Sequence, residues 1–304
     1  LRAEVGRVSP GAAAHVHFGA TSQDVLDSAM ALCLRPCLDE ADAVLGATVA
    51  SLVRRAREHR STPMLGRTLM QPALPITAGL KLARWAAALH RDRQRLARSR
   101  GALAVQLGGP VGALEAMGGR GSAVRARLAQ RLGLADAIAW HTDRGDWIAL
   151  LGHLTQGVLS AGKIALDLSL LSQAEVGEMR EAPGKEGHGG SSAMPHKRNP
   201  VACAQALAAA TRAPALLAAI HAGSLAQHER ALGGWQAELT LVPELAHALG
   251  SALDFLEVIA ASLVIDARRM RANLEAHPEA GLAGPRAAAG LEAALDELLR
   301  EIET

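Results

Sequence analysis

The chain has no tyrosine, and only 2 phenylalanines and 4 tryptophans stand among its 304 residues. Proteins that grip single-stranded nucleic acid stack bases on aromatic rings, so this scarcity argues against a nucleic-acid partner. Net charge is equally spare: 32 basic against 30 acidic residues leave +2. No run of like charge stands out, which argues against a polyanion-binding face or a charged disordered tail. Cysteine is rare too. Cys33, Cys37 and Cys203 are odd in number and lack paired spacing, which points to a reducing cytoplasm and not to a disulfide scaffold. Cys33 and Cys37 sit one helical turn apart and read more readily as two small buried residues than as half a metal site. No metal is expected. No uncharged apolar stretch reaches the length of a membrane span, so no membrane partner is expected; the nearest, 148–162, carries His153, Thr155 and Gln156. No signal peptide is evident. The first residue is Leu1, not Met, and a portion upstream is expected to be missing.

What is present is apolar and helical. With 49% apolar residues the chain can bury a large core. Alanine, leucine, arginine and glutamate dominate and β-branched alternation is rare, so the fold class is all-α. Helices are expected over 22–57, 75–100, 119–132, 143–179, 200–222, 235–264 and 284–303, with Pro36 and Pro243 bending two of them. A helix over 143–179 would be roughly 54 Å long. A globule of this length has a radius of gyration of about 19 Å, so such a helix would cross all of it. Its leucines go most of the way round the wheel, which suits a buried centre. One chain struggles to cover that helix, so burial against further copies of the chain is expected.

The strongest local signal is the run from Gly184 to Pro200, where Gly187, Gly189 and Gly190 precede Ser191 and Ser192. Glycines let a loop approach a ligand closely. Pro200 suits the first turn of a helix, with Asn199 as its N-cap, and the amides there join Lys197 as an expected anion site. A hydroxyl, a cation, an amide and a helix start within so few residues could hold a carboxylate and its enolate-like form. The spacing does not match a phosphate-binding P-loop.

Residues 190–200, GSSAMPHKRNP, resemble the signature loop of the fumarase/aspartase superfamily. Two further blocks agree in order and spacing: His17-Phe18-Gly19-Ala20-Thr21-Ser22-Gln23-Asp24, and Gly66-Arg67-Thr68-Leu69-Met70-Gln71-Pro72-Ala73 with Gly79-Leu80-Lys81. The resemblance implies a long-helix bundle forming a homotetrameric helical core, with no cofactor and with each site shared between subunits. It implies a small polycarboxylate substrate. Ser191 matches the base that removes a proton alpha to a carboxylate. Lys197 and Asn199 match positions that hold the substrate carboxylate and its aci-carboxylate form. Thr21 and Ser22 match positions for another carboxylate, and His17 matches a site histidine. Gln71, Ser192, Arg198, His228 and Arg230 complete the expected substrate-binding set. His196, His141, His153, His221 and His247 read as structural or surface residues. Asp143, Arg144 and Asp146 read as braces at a helix start. The turn Gln106 to Gly112 connects core helices, though family members run it near the substrate.

Two branches of the superfamily share this loop wording, the adenylosuccinate lyases and the 3-carboxy-cis,cis-muconate cycloisomerases. Adenylosuccinate lyases carry a histidine directly after Arg-Thr as general acid for the leaving nitrogen. Here that position is Leu69, which can move no proton. A carboxylate leaves unaided, so lactone opening and closing tolerates leucine best. The stretch Gln227-His228-Glu229-Arg230-Ala231-Leu232-Gly233-Gly234-Trp235 also looks like the cycloisomerase branch. The expectation is therefore conversion of 3-carboxy-cis,cis-muconate to 4-carboxymuconolactone. Its alternatives are an adenylosuccinate lyase-type C–N lyase and a catalytically silent relative. The family pattern begins well before His17 and runs further after Asn273-Leu274. The expected domains are 1–20 as a remnant of an N-terminal domain, 21–265 as the central bundle, and 266–304 as a shortened C-terminal domain.

Overall fold

The computed structural model of the chain describes residues 1–182, 189–191, 193–194, 196–281 and 285–304. Ser192 lies outside the described residues. In chain order the elements are α1 (Arg2–Val8), α2 (Pro10–Ala13), α3 (Ser22–Glu58), β1 (Pro63–Thr68), β2 (Gln71–Thr77), α4 (Ala78–Gly101), α5 (Gly121–Leu132), α6 (Gly145–Leu171), β3 (Met179–Glu181), α7 (Val201–Gly223), α8 (Gly234–Ser262), β4 (Leu263–Ile265), α9 (Ala267–Glu275) and α10 (Pro285–Glu303). The all-α expectation is borne out, since the helices account for most of the described chain.

Local chemistry sets the helix limits. Asp24 accepts the backbone N–H of Thr21 at 2.9 Å, the return arm of a capping box that starts α3. The Asp266 side chain accepts the Arg269 N–H at 2.9 Å and starts α9. Two compact units group the residues: 1–39, 97–152 and 216–244 form one, and 40–96, 153–215 and 245–304 the other. In the first, Leu34 and Leu38 of α3, the extended Leu103, Val105 and Leu107, and Leu150 of α6 are buried. In the second, the core is built by Leu52 of α3, Leu82 and Leu89 of α4, Leu154 and Leu168 of α6, and Leu249 and Leu256 of α8. Each such leucine contributes roughly 1.5–3 kcal/mol on burial.

Two details fix helix spacing in the second unit. The Ser51 hydroxyl of α3 donates to the Ala260 carbonyl of α8 at 2.7 Å. Gly162 of α6 faces Ala210 of α7 so closely that an added Cβ would stand 2.4 Å from the alanine methyl. Only a residue without a side chain lets the two helices approach that far. In the same unit α10 buries Leu295 and Leu299, and its carboxylates Asp296, Glu301 and Glu303 meet Arg60, Arg91 and Arg57. Exposed ion pairs contribute little, so the apolar stripe holds this helix.

The structure corrects several expectations. The helix expected over 143–179 is α6, Gly145–Leu171, 27 residues or about 40 Å. Beyond its end, α9 binds the chain that follows. Arg269 donates to the carbonyls of Val176 at 3.0 Å and Glu175 at 2.6 Å, and Asn273 donates to Val176 at 2.8 Å. The helix expected from residue 75 begins at Ala78, because residues 71–77 pair as β2. That hairpin carries no turn signal: a two-residue tip with both φ positive favours Asn-Gly, and here it is Leu69-Met70, at φ 50° and 65°. Strands β3 and β4 have three residues each, too short to show a period. Finally, α7 and α8 are long and apolar enough by length and composition to cross a membrane, more so than 148–162. Arg212 interrupts α7, and Glu244, Asp254 and Glu257 interrupt α8.

Candidate active site

In the first unit, one buried carboxylate organises the first signature block. Asp24 Oδ1 accepts from the Gln106 side-chain amide at 3.0 Å, the Gly108 N–H at 2.9 Å and lies 2.8 Å from His141 Nε2. Its Oδ2 accepts the N–H groups of Thr21 and Gly109, at 2.9 and 3.0 Å. Burial pushes the Asp24 carboxyl up, but the hydrogen bonds from His141, Gln106, Thr21 and Gly108 outweigh it and hold the group below its ordinary value. The block and the Gln106–Gly112 turn are thereby locked together. Gly109 has φ 74°, and a Cβ there would stand 2.7 Å from the Gly19 carbonyl, so only glycine allows the two turns to meet.

Arg230 completes this corner. Its guanidinium donates to the Thr21 hydroxyl and to the carbonyls of Gly109 and Pro110, the latter two at 3.1 and 2.8 Å. Arginine can only donate, so Thr21 Oγ1 accepts and its own hydrogen is left to donate to a second acceptor such as a carboxylate. Of the expected residues, Thr21 and Arg230 are thus joined directly. Ser22 is exposed at the start of α3, and His17 and His228 are exposed with left-handed backbone, at φ 61° and 48°. Beneath the block, Arg144 pairs with Asp27 and Glu238, with its guanidinium carbon 4.6 Å from the Trp140 ring centre. Burial pushes both carboxyls up, and Arg144 opposes it without prevailing.

The second unit carries the other two blocks. Gln71 is exposed beside the hairpin tip, where Leu69 is 96% and Met70 70% exposed. In the signature loop, Gly190 and Arg198 form an antiparallel bridge and the Asn199 N–H donates to the Gly189 carbonyl at 2.8 Å. Ser191 Oγ accepts the Met194 N–H at 3.1 Å. That donated hydrogen stabilises the oxygen as it becomes negative, which suits a serine that gives or takes a proton. Lys197, Arg198 and Asn199 are exposed. A cavity of about 790 Å³ opens at the loop base, lined by Arg180, Glu181, Arg198, Asn199, Asp254 and Glu257.

One expectation about this loop is corrected. Helix α7 begins at Val201, and its opening amides find acceptors other than the Asn199 side chain. The Ala202 and Cys203 N–H groups donate to the Glu181 carboxylate, the Val201 N–H to the Asn199 carbonyl and the Ala204 N–H to that of Pro200. All four opening amides are taken, so the helix start is no free anion site.

Residues 4–214 match a protein family described as lyase. The chain belongs to this lyase family. The chain is 48% identical to a 3-carboxy-cis,cis-muconate cycloisomerase of Bradyrhizobium diazoefficiens over 91% of its own length and 61% of that relative. It is 41% identical to a nitrosuccinate lyase of Streptomyces davaonensis, over 90% of the chain and 60% of the relative. A crystal structure of the 3-carboxy-cis,cis-muconate lactonizing enzyme from Pseudomonas putida superposes with a TM-score of 0.82 at 37% identity, covering 99% of this chain and 69% of that one. The chain thus spans about 61% of the length of the first of these relatives.

The signature blocks hold mostly exposed groups, and the buried organisers are less legible in the sequence. Asp24 was legible as the fourth residue of Thr21-Ser22-Gln23-Asp24, a capping-box spacing. Gln106, His141, Glu178 and Glu181 carry no such signal, because their partners are distant along the chain.

Proposed function

We propose that the protein is a cycloisomerase that converts 3-carboxy-cis,cis-muconate to 4-carboxymuconolactone. The observation that carries this reading is Leu69, 96% exposed at the hairpin tip, where an amine-eliminating relative would need a proton donor. The identity to cycloisomerases supports the same substrate. One substrate carboxylate adds to an alkene carbon, forming the C–O bond. The alkene electrons move onto a second carboxylate, giving an aci-carboxylate that Lys197 and Asn199 hold. Ser191 then delivers its proton to the alpha carbon, and solvent restores it, so one proton is taken up overall. Thr21, with its hydrogen turned outward by Arg230, and Ser22 hold a further carboxylate. Gln71, Ser192, Arg198, His17 and His228 complete the binding set.

The working form is a homotetramer in the cytoplasm, with 21–265 as its central bundle and sites shared between subunits. The apolar helix α7 supports assembly, since only 28% of its most apolar stretch is buried within one chain. Cys33, Cys37 and Cys203 form no disulfide, which supports the compartment.

The identity to a nitrosuccinate lyase favours a second reading, elimination of nitrite. Nitrite also departs as a stable anion, so Leu69 does not separate the two. The test offers 3-carboxymuconate and nitrosuccinate separately and follows loss of muconate absorbance or release of nitrite. Muconate turnover that falls at least about 100-fold in Ser191→Ala is expected. Most activity surviving in that variant would remove Ser191 from the chemistry, and turnover of neither compound would favour a silent relative.

A further inference from the structure

Two glutamates bracket the short strand β3, and neither belongs to the expected binding set. Glu178 is wholly buried. Its carboxylate accepts both terminal nitrogens of Arg67, at 2.8 and 2.9 Å, and the Asn273 amide at 2.8 Å. Its backbone is also pinned, the N–H to Leu171 and the carbonyl to the Asp266 N–H, each at 2.9 Å. Arg67 lies on β1, and the Thr68–Gln71 pair closes the hairpin tip just beyond it. The fork of Arg67 is thus engaged by Glu178, which anchors the hairpin that carries Gln71.

At the other end of β3, Glu181 receives the Cys203 N–H at 2.7 Å and the Ala202 N–H at 3.3 Å. A carboxylate at a helix start satisfies orphan amides and complements the helix dipole. Here it comes from a strand ahead of the signature loop and caps the helix behind it, so it draws the two ends of the loop together. The Cys203 thiol beside it is pushed well above its usual value by burial and by the Glu181 charge.

We propose that Glu178 and Glu181 are positioning residues, which make β3 a strut holding both the Gln71 hairpin and the Ser191–Asn199 loop in register without touching substrate. Catalytic consequences of this strut rest on the cycloisomerase reading; its mechanical part does not.

Chemical rescue separates positioning from general support of the fold. Glu181→Ala leaves two helix-start amides facing a carboxylate-sized space. Its kcat/KM on 3-carboxymuconate is expected to fall about 10- to 100-fold, the weight of hydrogen bonds to a charged group. Added acetate should restore part of that loss and leave the wild type unchanged. Independently of any turnover, alkylation of Cys203, followed by peptide mass spectrometry, should quicken in the variant and slow again with acetate. Glu178→Gln should raise KM more than it lowers kcat; if it does not fold, Arg67→Lys removes the same fork and should do likewise. A folded Glu181→Ala protein with Cys203 labelled at the wild-type rate, whatever the acetate, overturns the proposal. So does wild-type kcat/KM in both Glu178→Gln and Glu181→Ala when the parent is active. A wild type that ignores 3-carboxymuconate fails the functional reading alone, because the labelling result still decides the strut.

Discussion

His141 and Asp24 meet at 2.8 Å, and neither is more than 4% exposed. Their contact ties the stretch before α6 to the first turn of α3, far apart in sequence. Thr21 and the Gly108-Gly109 turn hang from the same carboxylate. Replacing Asp24 with Asn keeps the shape, but one oxygen becomes a donor facing donors. Each buried group left unsatisfied costs about 1–3 kcal/mol, so thermal melts should show a loss of roughly 2–4 kcal/mol. An Asp24→Asn protein that melts with the wild type would remove Asp24 as the organiser.

The same carboxylate sets a pH response. Its folded value lies below the unfolded one, so its contribution is complete above the unfolded value near 3.9 and disappears as pH falls through the folded value. Denaturant titrations should find wild-type stability dropping below about pH 4. The drop should be shallower in Asp24→Asn.

Asp27 and Glu238 act in the opposite sense. Burial raises both, and Arg144 lowers them again only in part. In the folded protein they hold protons more readily, so their contribution is complete at pH below the unfolded values near 4 and is lost as pH rises through the folded values. Stability should therefore decline as pH rises from about 4 through the raised folded values, and Glu238→Gln should flatten that slope. An unchanged slope in the variant would place the response elsewhere.

The hairpin tip stores strain. Leu69 and Met70 both occupy the left-handed region, at φ 50° and 65°, which costs an L-residue roughly 1–2 kcal/mol. Met70→Gly should raise the melting free energy by about 1 kcal/mol, less the greater entropy of glycine in the unfolded chain. A destabilised variant would mean that the Met70 side chain makes contacts worth more than the strain.

Helix spacing is equally exposed to test. Gly162→Ala puts a methyl 2.4 Å from the Ala210 methyl, an overlap that α6 or α7 must shift to relieve. Overpacking of this kind costs about 1–3 kcal/mol, read as a lower denaturant midpoint with unchanged slope. Gly152, with open space around its Cβ position, makes the control, and its alanine variant should be neutral or slightly stabilised.

Composition and periodicity alone determined that the chain is helical and roughly where α3, α4, α5, α7, α8 and α10 lie, because propensity and an apolar stripe are local properties summed over many residues. The three signature blocks likewise singled out Ser191, Lys197, Thr21 and Gln71, the groups proposed to face a ligand. Tertiary structure decided the rest. Helix α6 ends at Leu171, and Arg269 and Asn273 hold the Glu175 and Val176 carbonyls of the chain beyond it. A hairpin forms on a Leu-Met tip, and α7 is capped by Glu181 and not by Asn199. Each of these depends on a partner supplied from a distant part of the chain, and no window of sequence contains both halves of such a bond.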